Sequence, residues 1–266
     1  MKLIQRVAVW LASLMLAGAA HAGRPCEAGK PTAQTIVQGL TLAERTLKAL
    51  DAEYARSGTQ VVVLARAGQD LGKYGLHWSH LGFAYRTPEG AWRVLHKLNQ
   101  CGTAESAIYR QGLGEFFLDD LWRYEAAWVV PTLAVQARLL PLLLDEPRAL
   151  RLHHKPYSIV SYAWGQRYQQ SNQWAIETLA AAMEPTISTR DAAQAWLKFK
   201  GYQPTPLRLG PLTRLGGRLG AANVAFDDHP PAKRFSDRIE TVTVDSVFAW
   251  LPRAGLGGAP ARLAIQ

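Results

Sequence analysis

The run Gln60-Val-Val-Val-Leu-Ala-Arg66 leaves this chain few choices. It is short, almost wholly apolar and rich in β-branched valine, so it reads as a strand. It lacks the alternation of a half-exposed strand, which places it in the middle of a sheet, buried on both faces. Two more strands follow, His77-Trp-Ser-His-Leu-Gly-Phe-Ala-Tyr85 and Ala91-Trp-Arg-Val-Leu-His-Lys-Leu98. A Gly-rich loop, Ala67 to Gly75, leads into the second strand, and Thr87-Pro88-Glu89-Gly90 is the turn that joins it to the third. On the second strand Trp78, His80, Gly82 and Ala84 share one face, and His77, Ser79, Leu81, Phe83 and Tyr85 the other. Gly82 marks a place where a neighbouring backbone or ring comes close.

Around this block the pattern is largely helical. Leu40, Ala43, Leu47, Leu50 and Tyr54 recur at helical spacing, and Thr41-Leu-Ala-Glu44 has the capping-box form, so a helix is expected over 33–56. Residues 103–121 read as loop and short helix, with Tyr109 to Phe117 as a lid or wall. A strand over Tyr124 to Val130 precedes a helix from Leu133 to Leu144, kinked or divided at Pro141. Tyr157 to Tyr162 reads as a short strand and gives way to an aromatic loop ending at Tyr168. A helix from Asn172 to Glu184 follows, N-capped by Ser171 and stopped by Pro185. Another is expected over 189–200, a strand at Asn223–Phe226, and a last helix capped by Thr243 and ended by Pro252. The fold class is α+β: an antiparallel sheet of four to six strands packed with helices, in one domain over 23–252. Residues 253–266 lack periodicity and read as a disordered tail.

The first 22 residues read as a secretory signal peptide, not as structure. Lys2 and Arg6 precede an apolar run from Val7, and Ala20-His21-Ala22 supplies an A-x-A cleavage pattern. The chain is therefore expected in the periplasm or secreted, with no stable membrane span after cleavage. Later apolar runs such as Leu139–Leu144 are too short to cross a bilayer. The formal net charge of +9 suits contact with acidic surfaces such as anionic lipid or wall polymers. Nucleic acid is not an expected partner, because no basic run exceeds two residues. Two cysteines in an exported chain, Cys26 and Cys101, favour a disulfide, with Cys101 as a catalytic thiolate the lesser reading.

The candidate chemistry combines a hydroxyl at a helix start with an imidazole on a strand. Ser171 would be the nucleophile, His80 its base and His96, on the adjoining strand, the group that orients it. Asn172 and Gln173 would supply oxyanion donors, and Trp174, Tyr168 and Trp78 would line the binding site. Each residue also has a structural reading: serine is a favoured N-cap, and a buried histidine is commonly just hydrogen-bonded. No metal site is expected, since His77 and His80 point to opposite faces and no other ligand spacing is convincing. No cofactor is expected either, because the chain has no Walker-type loop, Rossmann fingerprint or G-x-S-x-G elbow.

Trp78-Ser-His-Leu-Gly-Phe83, Tyr109 to Phe117 and Arg167-Tyr-Gln-Gln-Ser-Asn-Gln-Trp174, with the signal peptide and the early Cys26, resemble an uncharacterised family of exported bacterial proteins, a domain of unknown function. More distantly, the His-x-Gly strand preceding a polar helix start resembles permuted papain-like (NlpC-type) amidohydrolases. That resemblance implies a permuted papain-like topology, with His80 as base, His96 as orienting group and Ser171 where those enzymes carry cysteine. Serine there removes the thiolate, so it implies a serine variant or a binding descendant. Two readings of function follow: a hydrolase-like protein acting on amide or ester bonds of envelope material, or a non-enzymatic envelope protein that binds peptide, glycan or lipid in the same cleft. N-terminal sequencing of the exported protein should begin at Gly23, and non-reducing peptide mapping should recover Cys26 linked to Cys101.

Overall fold

The computed structural model describes residues 31–119 and 121–265. Its strands are β1 (Val61–Ala67), β2 (His80–Arg86), β3 (Trp92–Asn99), β4 (Ser106–Gly112), β5 (Arg123–Val129), β6 (Thr205–Arg208), β7 (Arg238–Thr241) and β8 (Ala261–Ala264). Its helices are α1 (Ala33–Ser57), α2 (Leu113–Phe117), α3 (Leu133–Leu144), α4 (Glu146–Leu150), α5 (Ser171–Met183), α6 (Arg190–Phe199), α7 (Pro211–Gly220), α8 (Pro231–Arg234) and α9 (Val244–Arg253).

Six strands form one antiparallel sheet in the order β4-β3-β2-β1-β5-β8, while β6 and β7 pair as a separate ribbon. Every residue of β1 is buried, as its composition demands. The pleat sorts side chains strictly between two cores. Val62, Leu64, Ala84, Val94 and Trp128 face α1 and α2, where they meet Leu42, Leu50, Phe116 and Phe117. Val61, Val63, Ala65, Leu81, Phe83, Tyr85 and Leu95 face the other way, against Leu139 of α3, Trp174 and Leu179 of α5 and Phe248 of α9. A sheet with helices on both faces is the result, and the chain is α+β.

Several expected boundaries move, each for a local reason. Thr32, not Thr41, caps α1, forming a reciprocal box with Thr35. Gln170, not Ser171, is the N-cap of α5: its side-chain oxygen accepts the Asn172 N–H at 2.9 Å, leaving Ser171 as the first helical residue. Pro141 does not divide α3, which runs unbroken from Leu133 to Leu144. Tyr157 to Tyr162 and Asn223 to Phe226 are turns and loop, not strands. The strand missed in 103–121 is β4, an edge strand too polar and too exposed to show alternation. The tail is not disordered throughout, because Ala261 to Ala264 pair with Trp128 to Glu125 as the other edge of the sheet. The signal peptide and Cys26 lie outside the described residues.

Gly82 is required by close packing between β2 and β3. A Cβ there would stand 2.8 Å from His96 Cβ and 3.0 Å from both Leu95 O and Val94 Cγ1. Backbone and a strand-fixed Cβ cannot swing away, so Gly82→Ala should destabilise the fold by about 1–3 kcal/mol. Urea unfolding checks this, and an unchanged midpoint would mean that the two strands separate freely.

Candidate functional site

His80 and His96 do meet. They leave β2 and β3 on the α1/α2 face, where His80 Nε2 lies 2.9 Å from His96 Nδ1. Beyond them, His96 Nε2 lies 2.8 Å from Gln111 Oε1 of β4. With the amide oxygen in that position, His96 must donate from Nε2 and accept at Nδ1. His80 therefore donates from Nε2. His96 is fully buried, and Phe116 packs edgewise on it with ring centres 5.2 Å apart. Burial, helped by the nearby Arg66 guanidinium, pushes the His96 pKa down to about 3, against the pull of Gln111 and Asp119. Arg66 faces the same way from β1, paired with the Asp119 carboxylate and donating to the Phe116 carbonyl. The cluster is a neutral His96 held between His80 and Gln111, beside a buried arginine.

Ser171 is elsewhere. Helix α5 packs on the other face of the sheet, where Trp174 meets Phe83 with ring centres 6.1 Å apart. The polar neighbour of Ser171 Oγ is the Tyr157 hydroxyl at 3.4 Å, and Ser171 is only 4 % exposed. His80, 9 % exposed, belongs to the opposite face. The sheet therefore stands between the expected nucleophile and its expected base, and the catalytic arrangement implied by the papain-like resemblance is not formed.

The expected oxyanion donors already have partners. The Asn172 N–H is held by Gln170, while Asn172 Oδ1 accepts the Leu81 N–H at 3.1 Å and rivets α5 to the start of β2. Gln173 donates to the Ala163 carbonyl at 3.1 Å and accepts from Ser161 at 2.9 Å. Trp174 and Trp78 are core residues. Tyr168 is half-buried beneath the Arg167 guanidinium. Cys101 is not a free thiol, which removes the thiolate reading, and Cys26 lies outside the described residues. Among the described residues no three histidine, cysteine or carboxylate side chains are grouped to hold a metal ion, and no helix is long and apolar enough to cross a membrane.

Beneath α5 the structure places a polar cluster that the residue patterns had not singled out. Glu177 is fully buried and accepts from Arg190 Nε at 2.8 Å, Gln194 Nε2 at 2.7 Å and Gln169 Nε2 at 2.5 Å. Gln169 Oε1 in turn accepts from Lys97 Nζ at 2.7 Å, and Lys97 also donates to the His154 carbonyl at 2.8 Å. Burial and then the Arg190 charge push the Lys97 pKa down to about 6, although Glu177 pulls it up. Two signals were available: a single carboxylate inside the apolar stretch Trp174 to Met183, and a lysine in phase with inward-facing Leu95.

An antiparallel sheet clad by helices on both faces, with a charged hub sealed on one side and a histidine pair on the other, defines an α+β protein. Over residues 53–251 it matches the model of a family described as an uncharacterized protein conserved in bacteria, DUF2145, and it belongs to that family. No curated protein and no solved structure matches it.

The depressed pKa values of His96 and Lys97 each contribute to the pH dependence of stability. Below 6.5 the unfolded chain protonates His96 while the folded chain resists down to about 3, so folding weakens as pH falls through that window. Unfolded Lys97 keeps its proton up to 10.5 and folded Lys97 only to about 6, so stability rises with pH between those values. Urea unfolding across pH should show the second rise in the wild type and a flatter course in Lys97→Met. An equal slope in both would assign the rise to another group.

Proposed function

We propose that this is an exported envelope protein that works by binding, not by serine hydrolysis. The observation that carries this reading is the separation of Ser171 from His80 by the thickness of the sheet, with both side chains nearly buried. A nucleophile and its base must come within hydrogen-bond reach, directly or through one water. Here pleat direction opposes that meeting, and a change of rotamer cannot reverse it. Ser171 acts instead as the first residue of α5, and Asn172 and Gln173 hold the helix to its surroundings.

Export rests on the signal-peptide pattern, and the Cys26–Cys101 pairing proposed from the sequence suits an oxidising compartment. The ligand class is envelope material: peptide, glycan or lipid. Because His80 and Ser171 lie on opposite faces of the sheet, such binding is assigned to the outer surface instead of a cleft between them.

Labelling with a fluorophosphonate probe tests the choice. Wild type, Ser171→Ala and His80→Ala should all remain equally unlabelled. Labelling of the wild type that disappears in both variants would restore the hydrolase reading.

A further inference from the structure

Helix α7 is amphipathic in the wrong sense for a protein in water. Leu212, Leu215 and Leu219, spaced to share one side, are 84 %, 55 % and 80 % exposed, whereas Arg214 is buried. The inversion is anchored. Arg214 Nε donates to the Leu209 carbonyl at 3.0 Å and Nη1 to the Arg234 carbonyl at 2.6 Å, with the guanidinium 5.3 Å from the centre of the Phe226 ring. Rotating α7 to hide its leucines would pull this arginine out of those bonds. Gly217 lies on the buried side, so the helix can sit close to the small core of Leu207, Leu209, Val224, Phe226 and Ile239. Arg234, whose carbonyl receives Arg214, is followed directly by Phe235, itself 80 % exposed.

The charge around these apolar groups is positive in balance: residues 201–241 carry six lysines and arginines against four carboxylates, and each of those carboxylates already has a cationic or histidine partner. Residues 201–226 contain no carboxylate, and Arg218 is exposed on α7 beside the leucine row. On the neighbouring ribbon, Asp237 and Glu240 already pair with Arg208 at 2.7 Å and Lys233 at 2.5 Å, and Arg234 stands over the Phe235 ring. Outward leucines and a phenylalanine flanked by arginines are what an interfacial helix presents to a bilayer. The apolar side chains enter below the headgroups and the cations stay among anionic phosphates.

We propose that α7, together with Phe235, docks the protein on the surface of an anionic lipid bilayer. A second copy of this chain could also cover leucines, but like-charged arginines would then face one another across the contact. The inference rests on the binding reading only for its choice of envelope lipid, and its test does not use the serine probe, so either can fail without the other.

The signal-cleaved full chain should co-sediment with vesicles containing phosphatidylglycerol, several-fold more than with pure phosphatidylcholine vesicles, and added salt should weaken the binding. The combined variant Leu212→Ser, Leu215→Ser, Leu219→Ser changes only exposed positions and should retain its fold by circular dichroism. It should partition to phosphatidylglycerol vesicles roughly ten-fold less or lower. Arg218→Glu should reduce the preference for anionic vesicles, and Leu215→Trp should give emission that shifts to the blue when they are added. Wild-type protein that stays in the supernatant, or a serine variant that binds as well as wild type, would overturn the proposal. So would light scattering in which the leucines matter only for a protein dimer.

Discussion

Glu177 is the interaction on which the rest of the molecule leans. A carboxylate sealed in the core is costly to desolvate, and only a full set of donors makes its burial tolerable. Arg190, Gln194 and Gln169 supply that set, drawing α6 and the segment before α5 against one helix. Arg190 also donates to the carbonyls of Gly165, Gln166 and Tyr168, so it shapes the aromatic loop at the same time. Through Gln169 the network reaches Lys97 on β3 and ties the helical layer to the sheet. A partly satisfied version would be worse than an apolar core, which makes this cluster decisive for a single packing.

The sheet divides the chemistry. On the α1/α2 face a nearly buried His80 meets a fully buried His96, Gln111 sets the tautomers, and Arg66 with Asp119 stands beside them. On the α5 face lie Glu177, Lys97, Gln169 and the polar helix start. Each half makes sense as internal hydrogen bonding, and neither completes the other. On the exterior, α7 shows leucine to solvent while holding arginine inside.

Much of the fold could be read from local pattern. The three strands over Gln60 to Leu98, α3 and the Thr243-capped α9 have residue types and spacings that act within a few positions. The His80–His96 contact was also accessible, since a short hairpin places the two on adjoining strands. Less was readable where an element gains its stability from elsewhere. β4 is a polar edge strand held by β3, β6 and β7 find one another across the intervening α7 and α8, and β8 is a tail segment that becomes a strand only because β5 has an open edge. Gln170 is not legible locally as a cap because glutamine is an uncommon choice there; its amide is steered by Thr241 and Val242, some seventy residues later.

By itself the sequence determined that a fully apolar β1 must lie inside a sheet with antiparallel neighbours, and that Gly82 must meet a close partner. Period and steric size are properties of the chain nearest the residue concerned. Only the tertiary structure decided on which side of that sheet α5 would settle, and with it that Ser171 and His80 stay apart. Layer choice is made by long-range burial, here of Trp174 against Phe83 and of Glu177 against Arg190, and no local spacing encodes it.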